Sequence, residues 1–222
     1  MSQTIHVLLT LLFCYLMGSI LFGLIISETV YGVDIRNYGS GNVGFTNIKR
    51  ALGWKPAIAV LFLDMLKGVS AVLTCHLLFA STGQLQSLLV VTGGILAIIG
   101  HNWSAFYNFA GGKGVATSLG VLFALDWRAG CLAMAVGIPM LVYPGYMSLA
   151  SIVSTAMVPI WLWLLGAPVP YRVFGGIAFL FVLVRHRPNI DRLLKGVEPR
   201  FSFSGSGRIE TADLSAAPEE PS

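Results

Sequence analysis

Long stretches without charged residues are the feature that most constrains this chain. The first, TIHVLLTLLFCYLMGSILFGLIIS at residues 4–27, contains no Asp, Glu, Lys or Arg. It is long enough to cross the hydrocarbon core of a bilayer as a helix, and it lacks the basic start and cleavage site of a secretory signal peptide. Over the whole sequence 55% of residues are hydrophobic and only 11% are charged, which is outside the range of soluble domains. We therefore predict an integral membrane protein.

Six further apolar segments follow the first, separated by polar breaks or breaks that contain Gly and Pro. The segment at residues 114–125 is too short for an ordinary span, and we expect a short, tilted or partly re-entrant helix there. The predicted fold class is an all-α integral membrane protein with about seven transmembrane helices. A single domain is expected over residues 1–202, followed by a disordered tail at residues 203–222. The predicted spans are residues 4–27, 56–80, 85–100, 114–125, 129–147, 148–166 and 170–184.

The positive charges predict how the chain is inserted. If the N-terminus lies outside, eleven of the fourteen Lys and Arg residues fall in cytoplasmic loops, and the positive-inside rule favours this orientation, with the C-terminus inside. The basic balance does not indicate nucleic-acid binding, because no soluble domain is predicted that could present such a surface. Membrane lipids with anionic headgroups, or phosphorylated substrates, are the expected partners.

Cysteines and intramembrane charges carry little information about chemistry. Cys14, Cys75 and Cys131 occur one per apolar segment, without the paired spacing of a metal site or an obvious disulfide, so we expect them to fill the core. Asp64 and Lys67 lie three residues apart in the second predicted span and share a helix face. We expect them to neutralise each other as a structural pair.

Polar residues concentrate in three stretches, all on the predicted cytoplasmic side, so they can converge on one site. The first is YGSGNVGFTNIKR at residues 38–50. Its glycines let backbone N–H groups form an anion-binding nest, its hydroxyls add donors, and Arg50 offers a planar fork for phosphate oxygens. A polar turn with an interfacial arginine is the alternative. The candidate residues of this stretch are Ser40, Asn42, Thr46 and Arg50.

The second stretch, GHNWSAFYNFAGGKGVATS at residues 100–118, contains the short run GGKG. It is not the loop of a nucleotide hydrolase, because Gly114 rather than Ser or Thr follows Lys113. Gly111, Gly112 and Gly114 allow an anion to approach the backbone closely, and the next helix directs the partial positive charge of its N-terminus at the anion. Lys113 supplies a full charge. The alternative is a re-entrant turn whose lysine only reaches lipid headgroups.

The third stretch is RHRPNIDRLLKGVEPR at residues 185–200. His186 and Asn189 are candidate donors to a substrate phosphate, and Glu198 is a candidate to brace the loop through a salt bridge. A basic cluster that stops transfer after the last span is the alternative. His186 and Asp191 also fit the H-x-x-x-x-D spacing of acyltransferases that use His as a general base.

In this order and spacing, the three stretches resemble the bacterial acyl-phosphate:glycerol-3-phosphate acyltransferase family over roughly residues 5–202. Members show a G-S-G-N-x-G-A-T-N segment running to an Arg, then G-H-x-x-P-V-F-x-x-F-x-G-G-K-G-V-A-T, then H-R-x-N-I-x-R-L-x-x-G-x-E. The chain departs from this pattern at Phe45, in NWSAFYNFA and at Val197. None of these departures affects the predicted phosphate-binding set.

The resemblance implies a seven-span enzyme of the bacterial cytoplasmic (inner) membrane. It would transfer a fatty acyl group from acyl phosphate to the 1-hydroxyl of sn-glycerol 3-phosphate, giving lysophosphatidic acid and inorganic phosphate, the first step of phospholipid synthesis. It implies no metal and no other cofactor, and leaves the oligomeric state open, a monomer included. By matching position, the implied catalytic residues are Ser40, Arg50, Lys113, His186 and Asn189. The substrate-binding residues are Asn42, Thr46, Gly111, Gly112, Gly114 and Glu198.

Three other classes of protein share part of this pattern. A transporter for organic phosphates also needs positive charge, but the sequence has no inverted repeat and its charges lie at one mouth rather than at the midplane. A structural scaffold does not need the Gly-Lys loop. An acyltransferase that uses acyl-CoA shares the reaction type, and the spacing of His186 and Asp191 keeps it open.

Overall fold

The computed structural model of the chain describes residues 3–204, and within that range every regular element is a helix. A 3-10 helix, Ile35–Asn37, lies between α2 and α3. From residue 205 on, the predicted tail lies outside the described residues. The α-helices are α1 (Gln3–Ser19), α2 (Phe22–Tyr31), α3 (Phe45–Leu52), α4 (Trp54–Leu78), α5 (Gln84–Asn102), α6 (Val115–Leu125), α7 (Trp127–Val142), α8 (Met147–Leu164), α9 (Val169–Arg185) and α10 (Arg187–Leu194).

Each predicted span corresponds to helical structure, the first to the pair α1 and α2 and the others to α4 through α9. By length and hydropathy α4, α5 and α8 each qualify as a membrane span, and the bent pairs α1–α2 and α9–α10 qualify when each pair is taken together. Helices α6 and α7 are apolar but shorter, with 11 and 16 residues. Helix α6 covers roughly 16 Å along its axis, about half of the hydrocarbon core, in agreement with the short segment predicted there. The all-α membrane fold is confirmed, and the crossing of the bilayer by all seven segments stays a prediction.

The first predicted span is not one continuous helix, so that prediction is wrong in detail. Helices α1 and α2 meet at a bend of 45° around Ile20. The carbonyl of Ile20 accepts a hydrogen bond from Nζ of Lys67 at 2.6 Å, and the carbonyl of Ser19 accepts one from Oγ of Ser104 at 2.6 Å. A helix can break inside a membrane when other side chains satisfy the carbonyls that it frees, and these two donors do so.

The buried ion pair in α4 is confirmed and is part of a larger cluster. Nζ of Lys67 lies 3.0 Å from the carboxylate of Asp64, and both side chains are almost fully buried. His101 near the end of α5 joins them, with its Nδ1 2.9 Å from Nζ of Lys67. Together with the Ile20 carbonyl, these groups surround the ammonium of Lys67 and tie α4 to α5 and to the bend between α1 and α2.

Small residues let the helices approach closely, as is common in membrane bundles. A Cβ atom on Gly18 of α1 would overlap the backbone of Ala97 in α5. At the crossing of α4 and α6, a Cβ on Gly68 would overlap the carbonyl of Thr117, and one on Gly120 would overlap the backbone of Met65. The reciprocal contact at this second crossing fixes the short helix α6, and with it the loop that precedes α6.

The prediction for the cysteines is confirmed at two of three positions. Cys14 and Cys75 are free, buried thiols whose sulfur atoms lie 3.7 Å apart between α1 and α4. Cys131 is exposed on the outside of α7, so it does not fill the core. An apolar segment in a membrane protein has a side that faces lipid, and the sequence alone does not identify that side.

Candidate active site

One pocket brings residues of all three polar stretches together. It has a volume of about 620 Å³ and lies among the loop before α3, the start of α6, helices α7 to α10 and the segment after α10. Residues that are far apart in the sequence therefore share one cavity. Eight of the eleven candidate residues line it: Ser40, Asn42, Thr46, Arg50, Lys113, His186, Asn189 and Glu198.

The loop that carries Ser40 is held in shape by Asn47, a buried residue of α3. Its Oδ1 accepts a hydrogen bond from the backbone N–H of Ser40 at 2.9 Å, and its Nδ2 donates to the carbonyl of Tyr38 at 2.9 Å. Gly39 and Gly41 have φ of +58° and +67°, a conformation in which glycine is favoured. Asn47 thus braces a tight turn that brings Ser40 to the pocket wall.

The next residues lead into α3 and place its arginine. Oδ1 of Asn42 accepts a hydrogen bond from the backbone N–H of Gly44 at 2.9 Å, which closes a local turn just before the helix. Within α3, Thr46 and Arg50 are four residues apart and therefore lie on the same helix face. Both line the pocket. A single turn of helix thus presents a hydroxyl and a guanidinium to the same space.

Lys113 lies in the loop immediately before α6. Gly114 follows with φ of +75°, and helix α6 begins at Val115, which also lines the pocket. Nζ of Lys113 donates a hydrogen bond to Oδ1 of Asn189 at 2.5 Å. The ammonium group and the N-terminus of α6 therefore lie at one wall, where both favour an anion.

The backbone of the Gly-Lys loop is held by an arginine that we did not predict as a site residue. Nε of Arg185 donates to the carbonyl of Gly112 at 2.9 Å, and its Nη2 donates to the carbonyl of Gly111 at 2.8 Å. Its guanidinium also lies over the ring of Trp103, at 5.7 Å from the ring centroid. Arg185 thus neutralises the carbonyl side of the loop, which helps the loop present its positive groups on the pocket side.

The glycines of this loop pack against the end of α5. A Cβ on Gly112 would overlap the imidazole ring of His101, and one on Gly114 would overlap the side-chain oxygen of Asn102. Among the described residues, Gly111, Gly112 and Gly114 are absent from the pocket lining, and their contact with an anion stays a prediction. Their close packing against α5 was not predicted from the sequence.

Glu198 lies at the centre of a hydrogen-bond cluster. Its Oε1 accepts from Nδ2 of Asn189 and from Oγ of Ser148, each at 2.7 Å, and its Oε2 accepts from Nε of Arg192 at 2.7 Å. Burial alone would raise the pKa of Glu198, but the hydrogen bonds from Asn189, Ser148 and Arg192 lower that pKa below its usual value. The bracing salt bridge expected for Glu198 is formed with Arg192.

His186 is oriented by the backbone rather than by a carboxylate. Its Nδ1 lies 2.8 Å from the carbonyl oxygen of Val182, an atom that can only accept, so Nδ1 carries the proton. In the neutral ring Nε2 is then an acceptor. Asp191 pairs instead with Lys195 on the exposed side of α10, at 2.9 Å. The H-x-x-x-x-D spacing of the sequence therefore does not form a His-Asp pair.

Burial and the neighbouring cations lower the pKa of Lys113. Burial lowers the pKa of Lys113 to about 8. The carboxylate of Glu198 opposes this shift in the pKa, and three guanidinium groups reinforce it, those of Arg192, Arg185 and Arg50. A pocket that concentrates cations in this way attracts anions, because a bound anion relieves the repulsion among them.

From its polar mouth the pocket continues into the bundle as an apolar arm. Along α9, Phe174 lies roughly 18 Å below His186 at the rise of an α-helix. Among the described residues, none that lines the arm is charged, and this together with its depth suits a hydrocarbon chain. The arm is lined by Leu122, Met134, Ile138, Val158, Phe174 and Ala178.

Several residues that shape the site were not predicted from the sequence. Arg185 and Arg192 were visible as members of the third basic stretch, but nothing in the pattern separated them from charges that contact lipid headgroups. Asn47 stood in the first stretch without a role. Ser148 is one of many hydroxyls in an apolar segment, and Phe201, which also lines the pocket, carries no polar signal.

A family model described as "Glycerol-3-phosphate acyltransferase" matches residues 8–196. A glycerol-3-phosphate acyltransferase from Desulforudis audaxviator is 45% identical over 90% of this chain and 98% of its own length. One from Aquifex aeolicus is 41% identical, with 87% and 98% covered.

Two crystal structures of PlsY (YgiH), an integral membrane glycerol 3-phosphate acyltransferase, share the fold. The glycerol 3-phosphate form superposes with a TM-score of 0.81 at 37% identity and covers 96% of this chain and all of that one. The lysophosphatidic acid form gives a TM-score of 0.80 at 38% identity, with 89% and 96% covered.

The helical bundle and its cationic, partly apolar pocket define a multi-pass integral membrane enzyme that acts on an amphipathic, anionic substrate. The comparisons make the assignment specific. The chain belongs to the glycerol-3-phosphate acyltransferase family.

Proposed function

We propose that this protein transfers a fatty acyl group from acyl phosphate to the 1-hydroxyl of sn-glycerol 3-phosphate, forming lysophosphatidic acid and inorganic phosphate. The observation that carries the proposal is the shared pocket. Lys113, Arg50 and the Asn189–Glu198 cluster meet at a polar mouth that opens directly into an apolar arm. The mouth suits two phosphate groups, and the arm suits the acyl chain of the donor and of the product.

Two cations at the mouth offset the electrostatic repulsion between the two phosphorylated substrates. Two phosphorylated substrates repel each other by about 4 kcal/mol for unit charges roughly 4 Å apart near a protein surface, and by more as water is excluded. Arg50 and Lys113 offset this repulsion, and their donors can stabilise the oxyanion and the departing phosphate. Ser40, Asn42 and Thr46 supply further polar contacts along the same wall.

The chemistry needs no covalent enzyme intermediate, because acyl phosphate is already an activated mixed anhydride. The 1-hydroxyl oxygen bonds to the acyl carbon while the carbonyl carbon–oxygen bond to phosphate breaks. The hydroxyl proton then passes to an acceptor. The unprotonated Nε2 of neutral His186 and a substrate phosphate oxygen are two such acceptors, and the orientation of His186 by Val182 leaves Nε2 available.

The geometry around His186 favours acyl phosphate over acyl-CoA as the donor. A His general base that is oriented by an acidic residue five positions on needs the two side chains in contact. Here Asp191 is held by Lys195 at the surface of α10. The matched PlsY structures are a glycerol 3-phosphate form and a lysophosphatidic acid form. These two compounds are the acyl acceptor and the product of the proposed reaction.

One assay tests the donor and the reaction together. Protein purified in detergent is given glycerol 3-phosphate with either palmitoyl phosphate or palmitoyl-CoA, and lysophosphatidic acid, phosphate and free CoA are followed. We expect lysophosphatidic acid and phosphate in equal amounts from palmitoyl phosphate alone. Product formed only from palmitoyl-CoA would refute the proposed donor.

We further propose that the protein lies in the bacterial cytoplasmic membrane with its N-terminus outside and its C-terminus inside. The support is the distribution of Lys and Arg among the loops. Single cysteines at Thr82, Trp127 and Val169, in a variant without native cysteines, should react with a membrane-impermeant maleimide in spheroplasts. Labelling of these positions only after the membrane is opened would contradict the proposed orientation and indicate the opposite one.

A further inference from the structure

The segment after Glu198, residues 199–204, forms a strap beside the pocket, and its residues Pro199 and Phe201 line the pocket. The backbone N–H of Phe201 donates to the carbonyl of Gly145, in the loop between α7 and α8, at 2.6 Å. Nζ of Lys49 in α3 donates to the carbonyl of Ser202. The strap is thus held by bonds to two elements that are far from it in the sequence.

Four aromatic rings strengthen this attachment. The ring of Phe201 stacks on Phe45 with centroids 6.1 Å apart and planes at 17°, and it meets Trp54 edge to face at 5.9 Å. Phe203 meets the ring of Phe201 edge to face, with centroids 5.1 Å apart. Nζ of Lys49 lies 5.1 Å from the ring centroid of Trp54 and 5.3 Å from that of Phe201. Aromatic pairs and cation–π contacts of this kind hold a short segment in place without regular secondary structure.

Phe201 and Phe203 differ in what they face. Phe201 is only 7% exposed and lines the pocket together with Phe45, beside Arg50 and Glu198. Phe203 is 52% exposed and does not belong to the pocket lining in the described part of the chain. An apolar ring therefore forms part of the pocket wall close to the charged groups of the mouth.

We propose that Phe201, backed by Phe45, makes this enzyme select the glycerol hydroxyl over water as the acyl acceptor. The inference rests on the proposed use of acyl phosphate as donor. In transfer, the hydroxyl oxygen bonds to the acyl carbon, the bond to phosphate breaks, and lysophosphatidic acid and phosphate leave. In the competing reaction a water oxygen forms that bond, the same bond to phosphate breaks, and the products are free fatty acid and phosphate, with a proton released to solvent. Shielding the donor from water suppresses this side reaction.

The test compares how palmitoyl phosphate is divided between the two products. Wild type, Phe201→Ala and Phe203→Ala are purified in detergent and given palmitoyl phosphate with glycerol 3-phosphate, and free palmitate and lysophosphatidic acid are quantified. We expect Phe201→Ala to raise the ratio of palmitate to lysophosphatidic acid by about threefold or more. Phe203→Ala removes the same side chain from the same strap but not from the pocket wall, so its ratio should match that of wild type.

The ratio separates the inference from simpler explanations. A variant that was merely unstable would lose both products together and would leave their ratio unchanged. A folded Phe201→Ala protein with the wild-type ratio would overturn the role of Phe201. An equal rise in Phe203→Ala would also overturn it, because the effect would then belong to the strap as a whole. If Phe201→Ala does not fold, Phe201→Leu serves the same test with a smaller expected rise, and an unchanged ratio there counts against the inference. Wild type that forms no lysophosphatidic acid from palmitoyl phosphate refutes the proposed function itself.

Discussion

Nζ of Lys113 donates a hydrogen bond to Oδ1 of Asn189 at 2.5 Å, and this bond joins the loop before α6 to α10. Through its Nδ2, Asn189 also donates to Glu198 at 2.7 Å. An ammonium, an amide and a carboxylate therefore form one chain of hydrogen bonds. The charged neighbours on either side fix which end of the amide is oxygen and which is nitrogen. Two of the three polar stretches of the sequence are connected through this chain.

The first prediction concerns the carboxylate at the end of this chain. In Glu198→Gln, one oxygen that accepts hydrogen bonds becomes an NH₂ group that faces other donors. We expect the loss of about 1–3 kcal/mol of hydrogen-bond energy, and a decrease in kcat/KM for glycerol 3-phosphate of roughly ten- to a hundredfold. Asp191→Asn, on the exposed side of α10, is the control and should keep wild-type kinetics. Wild-type kinetics in folded Glu198→Gln would show that the cluster does not position the site.

The second prediction is a pH dependence. The pKa of Lys113 is lowered to about 8 by burial, so its ammonium is charged below that pH and loses its charge as the pH rises through it. We expect kcat/KM to fall on the alkaline side with an apparent pKa near 8. A bound phosphate stabilises the charged form, so kcat at saturating substrate should fall only at higher pH.

Lys113→Arg provides the control for the pH experiment. A guanidinium stays charged over this whole range, so whatever activity Lys113→Arg retains should lack the alkaline decrease. An identical decrease in both proteins would assign it to a group other than Lys113.

The third prediction concerns the buried cluster around Lys67. Lys67→Met removes the partner of Asp64 and the donor to the Ile20 carbonyl, and should lower the free energy of unfolding by about 3–5 kcal/mol. Adding Asp64→Asn removes the unpaired charge, so the double variant should be more stable than Lys67→Met alone. Thermal unfolding in detergent measures both. Additive losses would mean that the two side chains are not coupled.

The fourth prediction concerns the glycine that packs against His101. A Cβ at position 112 would overlap the imidazole ring, so Gly112→Ala must displace the loop that carries Lys113. A displacement of about 1 Å can lower a rate by as much as a hundredfold, and we expect at least a tenfold decrease in kcat/KM. Gly176 in α9 has open space around its Cα and is the matched control, so Gly176→Ala should be close to wild type in activity and stability. Full activity in Gly112→Ala would show that the loop does not need this packing.

Much of the architecture could be predicted because membranes constrain sequences strongly. A charge-free segment that is long enough to span the bilayer has few alternative structures. Polar residues that recur on one side of the membrane are expected to form a functional site there. The seven apolar segments and the three polar stretches follow from these constraints. So does the pairing of Asp64 with Lys67, because a helix places residues three apart on one face.

The features that escaped prediction depend on which groups the fold brings into contact, and the sequence pattern alone does not determine this. The break at Ile20 is stabilised by Lys67, a donor supplied by a different helix, and no local pattern signals it. The orientation of His186 depends on the Val182 carbonyl, whereas spacing alone suggested Asp191. The aromatic wall formed by Phe45 and Phe201 joins residues that are far apart in the sequence.

The most direct test of the shared anion site is the turnover of charge-removing variants. Palmitoyl phosphate and glycerol 3-phosphate are supplied to folded Arg50→Ala and Lys113→Ala, with Lys55→Ala, an exposed lysine outside the pocket, as the control. We expect a decrease in kcat/KM of at least about a hundredfold in each of the first two variants and little change in the third. Near-wild-type lysophosphatidic acid formation by either pocket variant would contradict this expectation.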